Sequence, residues 1–280
     1  MTRVAKEAGL KPGVVYKLVK EEGWRSLRRK KVPLISSEGR KKRVLRAQGL
    51  LNSLKKGGQA GRIIFFSDEK TFVVDPAFNP QNDRYICFYD DSSEGDESED
   101  DAGDRPDRRS GRYVARSKHP AGAMFLGAVA STGETSPPIW FPQGFRLGSK
   151  GYIKALRDTL IPWMKEVALA HGDVPFIFQQ DSAPAHRAKK TQEFLKEQGV
   201  KFWTPQEWPP NSPDLNPLDY AIWSIVQQGA CQERPPSVAV LKRRVSAFWR
   251  RIDPVKMRVV CRRFRPRLER CVKAKGSFFD

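Results

Sequence analysis

No stretch of eighteen apolar residues occurs in this 280-residue chain, which excludes a membrane-spanning helix of ordinary length. An apolar leader is missing too: Met1 opens a charged, amphipathic segment, so the protein is expected to stay inside the cell. Cysteine is sparse. Cys87, Cys231, Cys261 and Cys271 lie far apart with no CxxC pair, which argues against a disulfide framework and a zinc site and leaves buried, reduced thiols as the expectation. Acids are concentrated in one place. Residues 90 to 107 hold ten acids against one Arg, a net of −9, so the remainder of a chain whose total is +19 carries +28.

What stands in place of these features is positive charge. Residues 1 to 60 hold seventeen Lys or Arg against four acids, and residues 241 to 275 fourteen against two. One such segment reads as a solvated helix face. Two together favour a polyanion partner, because cations gain affinity for phosphate backbones by releasing counterions. At 39% hydrophobic the chain can bury a full core, arranged as one large domain or a small one plus a large one.

The opening VAKEAGLKPGVVYKLVKEEG predicts two short helices around a Gly9-Leu10-Lys11-Pro12 turn, with Val4, Ala8, Leu10, Val14, Leu18 and Val19 as the apolar set. That is a helix-turn-helix outline, with an ordinary helical hairpin as the alternative. Its second helix, roughly Pro12 to Glu21, would offer Lys11, Tyr16, Lys17 and Lys20 to a groove or to phosphates. A basic linker with Arg28, Arg29, Lys30 and Lys31 follows. A helix comes next, with Val44, Leu45, Leu50, Leu51 and Leu54 expected on one side and cations on the other, and Gly57-Gly58 ending it. The expected division is therefore residues 1–24, a partial helix-turn-helix; 25–61, a basic linker and helix; and 62–280, the main domain.

RIIFFSDEKTFVV and AMFLGAVAS read as buried strands, separated by the acidic segment, whose composition predicts a disordered insert over 90–110. From Ser149 the spacing of Ile153, Leu156, Leu160, Trp163, Met164 and Val167 predicts a helix. The strand FIFQQD, the helix HRAKKTQEFLKEQG, the short strand VKFWTP and a Pro-locked loop that becomes a helix near Pro217 complete the order. The fold class expected is α/β, a mixed sheet with helices packed against it. Trp203, Trp208, Trp223 and Trp249 could stack on bases, but core packing is the better expectation.

Asp68 ends the run RIIFFSD and Asp181 ends FIFQQD. Carboxylates at the ends of buried strands need compensation. A hard divalent cation, Mg2+ or Mn2+, is the natural partner for carboxylate oxygen. Two such ions would make a clamp for phosphoryl transfer, which calls for a third acid; Asp219 and Asp214 are the candidates. Asp214 is expected to brace the Pro loop instead, and Glu69, next to Asp68 on a strand, to point to the opposite face.

These residues sit in FSDEKTF (66–72), QQDSAPAH (179–186) and WPPNSPDLNPLDYAIW (208–223), and here the chain resembles the DDE/D transposases of the Tc1/mariner superfamily. With 37 residues between Asp181 and Asp219 and Asp as the third acid, it looks like the mariner-like D,D,37-D, or maT-type, branch. FNPQNDR (78–84) and CVKAKG (271–276) add to the likeness. The resemblance implies an RNase H-like core with Asp68, Asp181 and Asp219 as catalytic and metal-binding residues. It also implies a two-metal Mg2+ or Mn2+ site and cut-and-paste cleavage of double-stranded DNA at terminal inverted repeats, with a TA target. A homodimer holding two ends, no organic cofactor and a nuclear location go with it. His186, Arg187 and Lys189 would be DNA contacts, with Lys118, His119, Lys150 and Lys190 as further phosphate contacts; a structural role for His186 and solvated faces for the cations are the alternatives. The family carries a pair of helix-turn-helix units, of which this chain matches only the later part of the second, and the acidic insert is a second departure. A truncated relic, a non-catalytic DNA-binding derivative and a plain RNase H-like nuclease are the competing expectations.

Overall fold

The computed structural model describes residues 6, 8–23, 34–55, 62–75, 117–142, 144–231 and 234–279. Arg28, Arg29, Lys30, Lys31, Cys87, Val4, Gly57-Gly58 and the acidic insert lie outside them. The chain divides into two compact units, Met1–Leu34 and Ile35–Asp280.

In the first unit, helix α1 spans Pro12–Glu21, as expected, after a turn in which Gly9 takes a φ of 66°. Its inward residue is not the one expected. Val15 is buried, whereas Leu10, Val14 and Leu18 are exposed, because among the described residues nothing covers the face they share. Lys11, Tyr16, Lys17 and Lys20 are exposed as well.

Among the described residues the second unit is built on a four-stranded mixed sheet in the order β3-β2-β1-β4. β1 (Ile63–Val73) pairs antiparallel with β2 (Gly122–Ala130) and parallel with β4 (Phe176–Gln179), while β3 (Ile139–Phe141) flanks β2. Phe202 of the expected strand VKFWTP makes a single parallel bridge to Phe178. Alternation along the central strand sends Phe66 and Phe72 to one apolar layer and Ile63 and Phe65 to the other. The first layer is completed by Trp223, Trp249, Leu241 and Phe264, and the second by Tyr152, Leu156, Trp163 and Leu195. All four tryptophans expected in the core are buried, and so are the free thiols Cys231, Cys261 and Cys271.

Helix α2 (Ser37–Lys55) corrects another expectation. It buries Arg43, Ala47, Leu50 and Leu51, while Leu45 is 74% exposed. The supposed cationic face is thus partly the inner face, because Arg43 meets a carboxylate that only the tertiary fold supplies. The remaining helices are α3 (Ser149–Ala155), continuing through a π-helical turn (Leu156–Leu160) into α4 (Ile161–Ala170), then α5 (Pro184–Arg187) and α6 (Lys189–Glu197). A second π-helical turn, Leu218–Ile222, leads into α7 (Trp223–Ala230), followed by α8 (Val238–Arg250), α9 (Pro254–Arg262) and α10 (Phe264–Lys273). α10 packs against α2. Past its end Gly276 takes a φ of 76°, and a Cβ there would lie 2.2 Å from the Arg40 carbonyl oxygen, so only glycine lets the two segments approach this closely.

Candidate carboxylate site at the β1–β4 edge

Asp68 does not end its strand. β1 runs on to Val73 because β2 pairs with it throughout, placing Gly127 opposite Asp68. β4, in contrast, stops at Gln179, paired with Phe66, so two residues further in the same parallel register Asp181 falls beside Asp68. The site forms where one strand continues and its neighbour ends. Asp219 arrives from the π-helical turn at the head of α7. Such turns widen the helix locally and are common at functional positions.

Asn216, buried, ties this turn to the sheet: its Nδ2 donates to the Ser67 carbonyl at 3.1 Å, and its Oδ1 accepts from the Leu218 amide at 3.1 Å. The Pro-rich loop behind it is braced by α2. Arg43, fully buried, meets Asp214 through both guanidinium nitrogens (3.1 and 2.6 Å) and also donates to the Asn211 carbonyl and to Ser212 Oγ. Arg46 donates to the carbonyls of Pro205 and Trp208, both at 2.9 Å. Asp214 therefore stiffens the loop, as expected. Sequence reasoning missed Asn216, Arg43 and Arg46; the one signal was the unusual Pro-Asn-Ser-Pro-Asp-Leu-Asn-Pro string, whose polar members are these partners.

The electrostatics mark Asp68, Asp181 and Asp219 as neighbours. Burial raises Asp68 to about 8, with the Asp219 charge adding to it and a hydrogen bond from Trp223 opposing it. Partial loss of water raises Asp219 to about 6, helped by Asp181 and opposed by Lys70. Asp181 behaves differently. Burial pushes its carboxyl up, but His186 and the Ala183 amide hold it below the usual carboxylate range.

Glu69 points to the opposite face of the sheet, as alternation requires, and meets His186 there. The His186 ring lies between Asp181 Oδ1 (2.6 Å from Nδ1) and Glu69 Oε1 (3.0 Å from Nε2). Burial would depress this histidine, yet the two carboxylates raise it to about 10, so both ring nitrogens donate. Only 2% exposed and fully engaged, His186 is placed as a clamp on Asp181 and not as a surface contact for phosphate. Arg187, in the same short helix as His186, and Lys189 are exposed, and Lys118, His119, Lys150 and Lys190 are exposed as well. The Tyr152 ring packs, tilted, on the His186 ring with centroids 4.1 Å apart, and its hydroxyl donates to Gln180 Oε1.

A cleft of about 250 Å³ opens beside Asp181, Asp219, Asn216 and Trp208. The side chains flanking Asp181 are incomplete: Gln180 Nε2 and Ser182 Oγ are buried with no partner among the described residues. Oxygen-only donors with unfilled polar neighbours suit a hard cation and its waters. Among the described residues, however, no three His, Cys, Asp or Glu side chains stand close enough together to hold an ion as they are.

Asp75 and Ser117, which precede and follow the acidic segment in sequence, are tied to each other. Asp75 accepts from the Ser117 amide at 2.7 Å and pairs with Arg234 at 3.4 Å. Asp75 is seven residues from Asp68, roughly 23 Å along an extended chain and nearly three Debye lengths at physiological salt.

The raised carboxylates make a pH prediction. A raised folded-state pKa contributes stability at low pH that is lost as pH rises through it, here through about 6 for Asp219 and about 8 for Asp68. In EDTA, the melting temperature of the wild type should therefore fall relative to Asp68→Asn between pH 5 and 9, by several degrees. Parallel curves for the two proteins would contradict this.

A mixed sheet flanked by helices, with carboxylates where the parallel pair at its edge ends, matches an RNase H-like fold. The Mos1 transposase, in a paired-end complex with its left transposon end, superposes with a TM-score of 0.76 at 17% identity, covering 99% of this chain and 74% of that one. The Mos1 mariner catalytic domain gives a TM-score of 0.63 at 17% identity and is covered in full by 89% of this chain. In sequence, the Tc3 transposase of Caenorhabditis elegans is 24% identical over 247 residues, which are 88% of this chain and 64% of the relative. The Tcb2 transposase of Caenorhabditis briggsae is 32% identical over 77 residues, 28% of this chain and 25% of that protein. No family model matches. The chain is a homologue of the Tc1/mariner transposases, spanning just under two thirds of the length of Tc3 transposase.

Proposed function

We propose that this chain is a DNA transposase of the mariner-like D,D,37-D branch, acting by metal-dependent phosphodiester hydrolysis and strand transfer at terminal inverted repeats. The observation that carries it is the placement of Asp181 beside Asp68 by the β1–β4 register, with Asp219 on the turn that Asn216 ties to Ser67, at the edge of an RNase H-like sheet. Mg2+ or Mn2+ would be held by these three carboxylates. When bound, divalent ions supply a water of lowered pKa and offset charge on the attacked phosphate.

The chain's own residues do the rest. Asp181 is fixed by His186 and the Ala183 amide, Asp219 by the Asn216 tether and the braced Pro loop behind it. Exposed Arg187 and Lys189 would take the phosphate backbone, Lys11, Tyr16, Lys17 and Lys20 of α1 the transposon end, and Arg28 to Lys31 the intervening DNA. Residues 1–24 are read as a partial helix-turn-helix, 25–61 as a basic linker and a helix, and 62–280 as the catalytic domain, against which the helix of the middle segment packs. A homodimer holding two ends, a TA target and a nuclear location belong to the same proposal.

The test is nicking of a duplex carrying the element's terminal repeats, with Mg2+, Mn2+ or EDTA. Metal-dependent cleavage at the repeat end is expected. Cleavage indifferent to the repeat would favour a plain nuclease, and binding without cleavage a non-catalytic derivative.

A further inference from the structure

Trp223 has no part in the function proposed above, yet among the described residues its indole is the donor that reaches Asp68. Nε1 lies 2.6 Å from Asp68 Oδ2, and the residue is 3% exposed. The ring is held on three sides. It stacks on Trp249 at 5.7 Å and meets Phe72 and Phe125 edge-on at 6.1 and 5.8 Å. Trp249 is itself fixed by its N–H to the Ser136 carbonyl at 2.7 Å.

Space for this stack exists because residue 127, across from Asp68, is glycine. A Cβ there would lie 3.0 Å from Trp223 and 2.9 Å from both Trp249 and Phe125. Asp219 sits four residues before Trp223, about one turn earlier in the same helical segment. One segment therefore delivers the third carboxylate and also grips the first. A buried indole N–H requires an acceptor, which Trp249 finds in a backbone carbonyl; the acceptor Trp223 takes is one of the carboxylates proposed to hold a cation.

We propose that Trp223 is a positioning residue, whose N–H fixes Oδ2 of Asp68 and leaves Oδ1 as the oxygen offered to a divalent cation. This rests on the reading of the site as a cation site. Because Trp223 and Asp219 share a segment, the same bond sets how far apart Asp68 and Asp219 can move.

Mn2+ binding to the full chain, followed by electron paramagnetic resonance or calorimetry, tests it without reference to activity. Trp223→Phe keeps the ring and removes the donor, and should weaken Mn2+ binding about tenfold, the lower end of what loss of an orienting partner costs. Asp68→Asn should weaken it further. Wild-type affinity in a folded Trp223→Phe protein would overturn the inference while leaving the cation site intact; no Mn2+ bound by the wild type would instead remove the reading on which it rests. If Trp223→Phe fails to fold, the wild type decides: with 15N-labelled tryptophan, the Trp223 indole resonance should shift as Mg2+ is added. Mg2+ binding that leaves all seven tryptophan indole resonances in place would overturn the proposal.

Discussion

Asp181→Asn is expected to leave the protein folded and to reduce metal-dependent nicking at least on the order of a thousandfold, since loss of a single electrostatic contact to a transition state already costs 10²–10³. The substitution is nearly isosteric and keeps an oxygen that can accept from His186 Nδ1 and from the Ala183 amide, both now served by Oδ1. What it removes is charge. His186 loses part of what raises its pKa, which costs stability, while Asp68 and Asp219 lose a neighbour that raises theirs, which restores some. These effects oppose, so the melting temperature should move little. Nicking retained within tenfold of wild type by a folded Asp181→Asn protein would sink the assignment of this carboxylate. Equal binding and no cleavage by either protein would sink the enzyme reading as a whole.

Arg43→Met should be the most damaging single change for stability. It leaves Asp214, 6% exposed, without its cation and strips donors from the Asn211 carbonyl and Ser212 Oγ. Breaking a buried pair by deleting one partner costs about 3–5 kcal/mol, whereas replacing both partners with apolar groups is often close to neutral. Arg43→Met should therefore lower the urea midpoint steeply, and adding Asp214→Leu should recover much of the loss. A single substitution costing under about 1 kcal/mol would mean the pair is dispensable. Because the braced loop leads into the turn bearing Asp219, nicking by the folded fraction should fall as well.

The three carboxylates stood out in the sequence because they fall in or beside short, unusual strings, the Pro-rich motif above all. The strands were legible from runs such as IIFF and FIF, whose apolar character survives any tertiary detail. What could not be read was anything depending on a distant partner. Arg43 looked like one more cation on a basic helix, since the carboxylate that makes it an inward residue lies 171 positions away. Asp68 looked like a strand end because a polar residue after an apolar run usually marks one; only β2 shows that the strand passes through the site. Glu69 was rightly sent to the other face, but that His186 waits there, reaching around the end of β4 to Asp181, follows from topology alone. Val15 in place of Val14 and Leu18 as the inward residue of α1 is a similar limit, since the 3.6-residue period fixes a face and not what covers it.

The packing of α2 on α10 has a consequence for how this protein can be divided. Leu268 and Cys271 of α10, together with Asp214, are sealed by residues from before position 55, and Gly276 lies against the Arg40 carbonyl. A fragment cut at residue 62, just ahead of the first strand, would keep Asp68, Asp181 and Asp219 and still open the floor beneath the loop that leads to Asp219. A fragment meant to stand alone is expected to need a start before Ser37, so the segment that looks like a tether ahead of the sheet is a wall of the unit that holds it.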